Sequence, residues 1–133
     1  MVEERTTDGK RIAQLLSSEV SGREDSGLAA LDVVDADPDV EGSADGELAY
    51  EIARVEGDEP EPLAEVYVHE DRARIEFREA VDAAAETAKE VGLRVRPKAV
   101  RPPRTLVFVE DGAEVKRATD VLVAVVRESF EDS

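Results

Sequence analysis

Residues 64–77, AEVYVHEDRARIEF, decide the fold, because apolar and polar side chains alternate in them on both sides of a short acidic turn. Successive side chains of a strand point to opposite faces, so such alternation indicates a strand with one buried face. The apolar positions are Ala64, Val66, Val68, Ala73, Ile75 and Phe77. With Glu70 and Asp71 as its turn, the stretch predicts a β-hairpin.

The polar side of this hairpin carries side chains that invite a functional interpretation. A two-residue turn places Tyr67 opposite Arg74, which predicts a surface cation–π contact. His69 is the only histidine in the chain. It stands at the polar end of the first strand, so we expect it to face solvent and to take no part in catalysis.

Upstream of the hairpin, the sequence predicts a helix and two more strands. Thr7 is a candidate N-cap and Gly22 can end the helix. Its apolar residues, at helical spacing, are Ile12, Leu15, Leu16 and Val20. Leu31–Ala36 predicts a short strand and Leu48–Val55 a longer one. Between these strands, residues 37–46 (DPDVEGSADG) form an acidic loop that we expect to be mobile.

Downstream of the hairpin, Ala80–Val91 predicts a second helix, since its apolar residues form one stripe and Gly92 stands where a helix commonly ends. Leu93–Ala99 and Thr105–Glu110 then predict two short strands. The RPPR sequence at 101–104 indicates a stiff corner, across which these strands are expected to pair in antiparallel fashion.

The last predicted element is a helix from Asp111 to about residue 130. Asp111 followed by Glu114 gives a pattern like a capping box. Residues 121–126, VLVAVV, would be apolar on every side of this helix, which indicates deep burial or a partner. The same residues are β-branched enough that a strand is the alternative.

These elements predict an α+β fold with the order α-β-β-β-β-α-β-β-α. A mostly antiparallel sheet of about five or six strands would have the helices packed on one face. The 133 residues contain no internal repeat and no shift in composition that would divide the chain. We therefore expect a single domain over residues 1–133.

Charge is the strongest feature of the composition, with 33 acidic residues against 17 lysines and arginines and a net charge of -16. Concentrated salt screens such self-repulsion, so the composition favours the cytoplasm of a halophile. Disorder is the competing interpretation, but the strand and helix patterns oppose it for most of the chain. No apolar run approaches the roughly 20 residues of a membrane span, so we expect a cytoplasmic protein without a membrane partner.

The sequence contains no recognisable catalytic or metal motif. The absence of cysteine excludes disulfides and thiol catalysis. The serines have no nucleophile-elbow context, and no glycine-rich phosphate loop is present. Asp35, Asp37 and Asp39 alternate in a loop, but the other ligands of a calcium loop are out of register. The sequence therefore indicates no catalytic residue, no metal ligand and no cofactor, and a binding protein is favoured over an enzyme.

The basic stretch Leu93–Arg104, LRVRPKAVRPPR, is the candidate site, because it contains no acid in a strongly acidic chain. An extended conformation turns Leu93, Val95 and Ala99 to the core and places the cations about 6.6 Å apart on the other face. Pro97 cannot donate to a sheet and favours an edge strand. The candidate binding residues are Arg94, Arg96, Lys98, Arg101 and Arg104, with Lys116 and Arg117 as an extension.

Three functions remain open at this point. The first is a binding module whose arginine-rich edge strand contacts an anionic partner, which would be an acidic protein, a nucleotide or a nucleic acid. In the second, the same cations pair internally with Glu65, Glu76 and Glu110, and the chain is a structural homodimer or assembly subunit. The third, an enzyme with an unrecognised site, is the least favoured.

Two segments of the chain resemble small acidic proteins of haloarchaea that have no assigned function. These segments are RTTDGKRIAQLLSSEV, near the start, and LRVRPKAVRPPRTLVFVEDGAEVKRATDV, in the second half. The resemblance implies a halophilic cell type and a cytoplasmic location. It implies no activity and no catalytic residue.

Overall fold

The computed structural model describes residues 8–22, 30–55 and 59–131, and the element order is the predicted one. The elements are α1 (Gly9–Gly22), β1 (Leu31–Val34), β2 (Glu47–Arg54), β3 (Glu61–Val68), β4 (Ala73–Phe77), α2 (Val81–Glu90), β5 (Arg94–Lys98), β6 (Arg104–Val109) and α3 (Glu114–Glu131). The six strands form one antiparallel sheet in the order β1-β2-β3-β4-β6-β5. The predicted α+β fold is therefore confirmed.

The hairpin of β3 and β4 lies at the centre of the sheet. The His69 N–H donates to the Arg72 carbonyl at 2.9 Å, which closes the two-residue turn. This turn sets the register that pairs Tyr67 with Arg74. The six apolar positions predicted for the buried face are 0% exposed and belong to the core. The alternation of apolar and polar residues therefore predicted both the pairing of β3 with β4 and the face of the hairpin that is buried.

The three helices pack on one face of the sheet, and the core lies between the two layers. In α1, Ile12, Leu16 and Val20 are buried. Asp8 caps this helix, since its carboxylate accepts a hydrogen bond from the Lys10 N–H at 3.0 Å. The predicted cap, Thr7, lies outside the described residues. In α2, small alanines allow close packing on the strands beneath.

The last element is a helix, so the strand alternative for residues 121–126 was wrong. A variant of the predicted capping box begins it: the Glu114 N–H donates to the Asp111 carboxylate at 3.0 Å, and the Glu114 carboxylate accepts from the N–H of Glu110, one residue before Asp111, at 2.8 Å. The helix forms although β-branched valines have a low helix propensity, because packing against the core stabilises it. Its buried residues here are Val121, Leu122, Val125 and Val126. In the described part of the chain, no helix is long and apolar enough to cross a membrane.

Strand β5 occupies the sheet edge, as the proline predicted, with β6 as its antiparallel partner. The expectation that Ala99 faces the core was wrong, since Ala99 is exposed. The strand ends at Lys98, whose carbonyl accepts a hydrogen bond from the Val100 N–H at 2.9 Å, so the chain turns before Ala99 can pack. A cis peptide bond joins Arg101 to Pro102 in this corner.

Strand β1 ends two residues earlier than Leu31–Ala36 predicts. Asp35 has a φ of 52°, in the left-handed region that breaks an extended strand. Residues 37–46 follow as a loop held by local hydrogen bonds, for example from the Asp39 N–H to the Asp37 carboxylate at 2.9 Å. The mobility of this loop stays a prediction.

None of the described helices packs on the second face of the sheet, which we call the outer face. The strand registers align its side chains in rows that cross the sheet. One row runs Tyr67, Arg74, Phe108, Arg94; the next runs Glu65, Glu76, Leu106, Arg96; the third includes Arg104 and Lys98. The outer face is therefore where the basic stretch meets polar residues of the central hairpin.

Candidate anion-binding site

A buried carboxylate lies at the centre of the outer face. Glu76 is only 1% exposed, although it occupies the polar side of β4. Its oxygens lie 2.9 Å from Arg74 Nη2, 3.0 Å from Arg104 Nη1 and 3.2 Å from Lys98 Nζ. Burial alone would be costly for a charged carboxylate, so these three cations are what keep Glu76 in place.

The ionisation of Glu76 reflects two opposing effects. Burial raises the pKa of this carboxyl. Hydrogen bonds from Arg104 and Lys98, together with the charge of Arg74, outweigh burial and lower the pKa below its ordinary value. The carboxylate therefore stays charged at neutral pH and fixes the three cationic side chains above it.

Glu65, on the neighbouring strand, extends this network. It accepts hydrogen bonds from Arg104 Nη1 at 2.8 Å and from the Tyr67 hydroxyl at 2.9 Å, and Arg78 Nη1 lies 3.9 Å away. Burial and the neighbouring Glu65 raise the pKa of the Tyr67 hydroxyl, which therefore remains a donor. Among the described residues, this network thus joins four cations to two carboxylates, so the network itself carries an excess of positive charge.

That excess borders a concave pocket at the corner between β5 and β6. The pocket has a volume of about 260 Å³, and we call it the basic pocket. It is lined by Arg78, Lys98, Val100, Arg101, Pro102, Pro103 and Arg104, with no carboxylate among the lining residues. Arg101 is exposed and, within the described residues, has no ion-pair partner. The pocket therefore combines two cations held by Glu76, a third (Arg78) near Glu65, and Arg101, which is unpaired among the described residues.

The edge strand continues the positive charge away from the pocket. The register pairs Lys98 with Arg104, Arg96 with Leu106 and Arg94 with Phe108. Arg96 is exposed and has no ion-pair partner in the part of the chain that the structure describes. Arg94 lies 3.5 Å from Glu110, with both side chains about half exposed. Such an exposed pair contributes little and can be displaced.

The structure brings five of the seven sequence-predicted residues to this region, namely Arg94, Arg96, Lys98, Arg101 and Arg104. Lys116 and Arg117 lie on α3, which packs on the opposite face of the sheet. The internal pairing with Glu65, Glu76 and Glu110 is also present. Internal pairing does not use all the cations of the stretch, because Arg96 and Arg101 have no ion-pair partner among the described residues.

Sequence reasoning missed Arg78 as a lining residue. It follows Arg74 and Glu76 at the two-residue period of the polar side of β4, and its N–H pairs with the Leu63 carbonyl at 2.9 Å. That two-residue period could have placed Arg78 on the outer face. It could not have placed Arg78 beside the corner, because that position depends on the pairing of β4 with β6.

The expectation that His69 faces solvent was wrong, because His69 is 6% exposed. Its Nδ1 lies 3.0 Å from the Ala44 carbonyl oxygen, and its Nε2 lies 2.9 Å from Arg74 Nη1. The carbonyl can only accept and the guanidinium can only donate, so the hydrogen resides on Nδ1. The loop of residues 37–46 covers this strand end, and His69 helps to position Arg74.

Another concave region separates α1 from the residues that follow β1. It has a volume of about 290 Å³ and is lined in part by Lys10, Gln14, Ser17, Asp37 and Tyr50. The Tyr50 hydroxyl already donates to the Ala13 carbonyl at 2.8 Å. In the described residues, no group of three or more histidines, aspartates or glutamates could hold a metal ion. The charged residues lining this region are Lys10 and Asp37, so among its described lining residues it lacks the excess of positive charge found in the basic pocket.

A family model described as a family of unknown function (DUF7993) matches residues 1–133. No curated protein and no solved structure matches the chain. A family of unknown function was the expectation from the sequence, and that part of the expectation is confirmed. The comparisons bring no activity, so function has to be argued from the site.

Proposed function

The chain belongs to this family of unknown function, and we propose that it is a binding module. The proposal, which rests on the geometry of the site, is that the protein holds an anionic group in the basic pocket. One observation carries the proposal: the described residues that line this concave surface include four cationic side chains and no carboxylate, in a protein whose net charge is -16. The ligand classes that suit it are nucleotides, nucleic acids and acidic proteins.

The network beneath the pocket supports this function through preorganisation. Glu76 and Glu65 hold Arg104, and Glu76 also holds Lys98, so these side chains lose little conformational freedom on binding. Arginine presents a planar fork of donors that matches the oxygens of phosphate and carboxylate groups. Such hydrogen bonds at close range survive concentrated salt better than long-range attraction does.

The cellular setting is part of the proposal. The acidic composition fits a halophile cytoplasm, as in the haloarchaeal proteins that two segments of the chain resemble. In that setting, nonspecific attraction between charges is screened. An anion site that works in concentrated salt then has to be concave and to supply hydrogen-bond donors, and the basic pocket has both properties.

The test is calorimetric titration of inorganic pyrophosphate into the protein in about 1 M potassium chloride, where long-range attraction is screened. Arg101→Gln removes the pocket cation that has no ion-pair partner within the described part of the chain, and we expect about tenfold weaker binding. Arg117→Gln is the matched control, since it makes the same change on the other side of the sheet. Absence of binding, or equal losses in both variants, would contradict the proposal.

A further inference from the structure

The edge of the outer face carries two parallel lines of side chains with different chemistry. Arg94, Arg96 and Lys98 follow one another along β5 at every second residue, about 6.6 Å apart. Beside them on β6 lie Phe108 and Leu106, both half-buried, opposite Arg94 and Arg96. We call these five residues the outer strip. At the Lys98 end, the strip opens into the basic pocket.

We infer that the outer strip and the basic pocket together bind single-stranded nucleic acid. The inference rests on the proposed function and gives its ligand class. Phosphates lie along the cations of β5, bases lie on Phe108 and Leu106, and one phosphate enters the basic pocket. Successive phosphates of a single strand are spaced closely enough to meet successive cations of such a strand. With one phosphate in the basic pocket, the strip and pocket together accommodate about four nucleotides, the lower end of the roughly 4–16 nucleotides of known single-strand sites.

The aromatic ring favours a ligand with unpaired bases. Proteins without sequence preference bind single strands by combining a cationic track with aromatic rings on which bases stack. Guanidinium planes serve the same purpose. The guanidinium carbons of Arg72 and Arg94 lie over the Phe108 ring, 5.5 Å and 5.8 Å from its centroid, and a base stacks on this ring by displacing the half-exposed Arg94 side chain. A duplex keeps its bases stacked inside and could not use this surface.

The same arrangement disfavours an acidic protein as the ligand. Carboxylates would be satisfied by the cations alone and would leave Phe108 and Leu106 without a role. Among the acids near the strip, Glu76 adds little repulsion toward a phosphate, whereas the exposed Glu110 competes with it for Arg94. Glu76 is 1% exposed and lies beneath Arg74, Lys98 and Arg104, so the surface above it is cationic.

The test compares labelled single strands of about six nucleotides with an abasic strand that carries the same phosphates, and with a glutamate peptide of equal charge. Fluorescence anisotropy in about 1 M potassium chloride gives the affinities. We expect the strand with bases to bind at least tenfold more tightly than the abasic strand. Phe108→Leu should remove most of that difference and leave pyrophosphate binding unchanged. Arg96→Gln should weaken both strands about tenfold, whereas the matched Arg117→Gln should not.

A second measurement does not depend on the folding of any variant. The ring protons of Phe108 in the unaltered protein should shift in NMR spectra when the strand with bases is added, and not when the abasic strand is added. Equal affinity for both strands, or for the glutamate peptide, would overturn the inference. If pyrophosphate still binds in that case, the proposed function stands without it; if pyrophosphate also fails to bind, both are wrong.

Discussion

Glu76 shows how a single residue connects stability with the candidate site. The alternation of β4 assigns it correctly to the polar side, and its charge made it a candidate partner for the basic stretch. Alternation could not reveal that this polar side chain is 1% exposed. It is covered by Arg74 of its own strand and by Arg104 and Lys98, which reach it from β6 and β5. The coverage by these last two depends on the pairing of β4 with β6 and of β6 with β5.

Replacing this carboxylate tests its structural role. We expect Glu76→Gln to lower the free energy of unfolding by about 2 kcal/mol, because an amide cannot replace charged hydrogen bonds to three cations. Chemical denaturation gives the value. Glu51→Gln is the matched control, since Glu51 lies opposite Glu65 in the sheet and, among the described residues, has no ion-pair partner. A loss in Glu51→Gln as large as in Glu76→Gln would contradict this role.

The lowered pKa of Glu76 also predicts a pH dependence. A carboxyl whose pKa is lower in the folded than in the unfolded protein stabilises the fold fully above its ordinary value of 4.5. That contribution is lost as the pH falls through the folded-state pKa. The stability difference between the unaltered protein and Glu76→Gln should therefore shrink below about pH 4.5, as denaturation over a pH series can measure. A difference independent of pH would show that the carboxylate charge is not its cause.

At the scale of elements, strand β5 is the part of the site that could be predicted most completely. Pro97 predicted that the strand lies at the edge of the sheet. The two-residue period of a strand predicted that Arg94, Arg96 and Lys98 share one face. The corner that follows was not predictable in shape. Its pocket forms only where residues 98–104 meet Arg78 at the end of β4, and that contact joins elements separated by a helix.

The exposed pair between Arg94 and Glu110 gives a prediction for this edge. If a phosphate binds along β5, Glu110 competes with it for Arg94, 3.5 Å away. We expect Glu110→Gln to tighten the binding of single strands about threefold, with little change in stability, because exposed pairs contribute little. Anisotropy titration measures the change. Glu128→Gln, an exposed site on α3, should have no effect. Weaker binding in Glu110→Gln would contradict a role for Arg94 in the strip.

For the whole molecule, the order of elements could be predicted from local patterns, but the order of strands could not. Hydrophobic periodicity fixes each helix and strand in turn. The placement of β6 between β4 and β5 depends on a pairing that spans α2 and β5, and no local signal contains it. That placement brings the acids of the hairpin under the cations of the basic stretch. A homodimer stays a prediction, which mass measurement in concentrated salt would test.

The net charge of -16 predicts that salt stabilises the fold. Raising potassium chloride from about 0.01 M to about 1 M shortens the Debye length from about 30 Å to about 3 Å and screens the repulsion between acidic side chains. We expect the thermal midpoint to rise by about 10 °C over this range, as measured by circular dichroism.

The shape of that rise identifies its cause. Screening between surface charges is nearly complete once the Debye length is shorter than their separation, so most of the gain should come below about 0.5 M. A gain that continues in proportion to salt through the molar range would instead indicate stronger effective burial of apolar surface. Sucrose, which acts by exclusion and not by screening, is the control and should not reproduce the early rise. An unchanged midpoint below about 0.5 M would mean that the acids are too far apart, or too well paired, for their repulsion to limit stability.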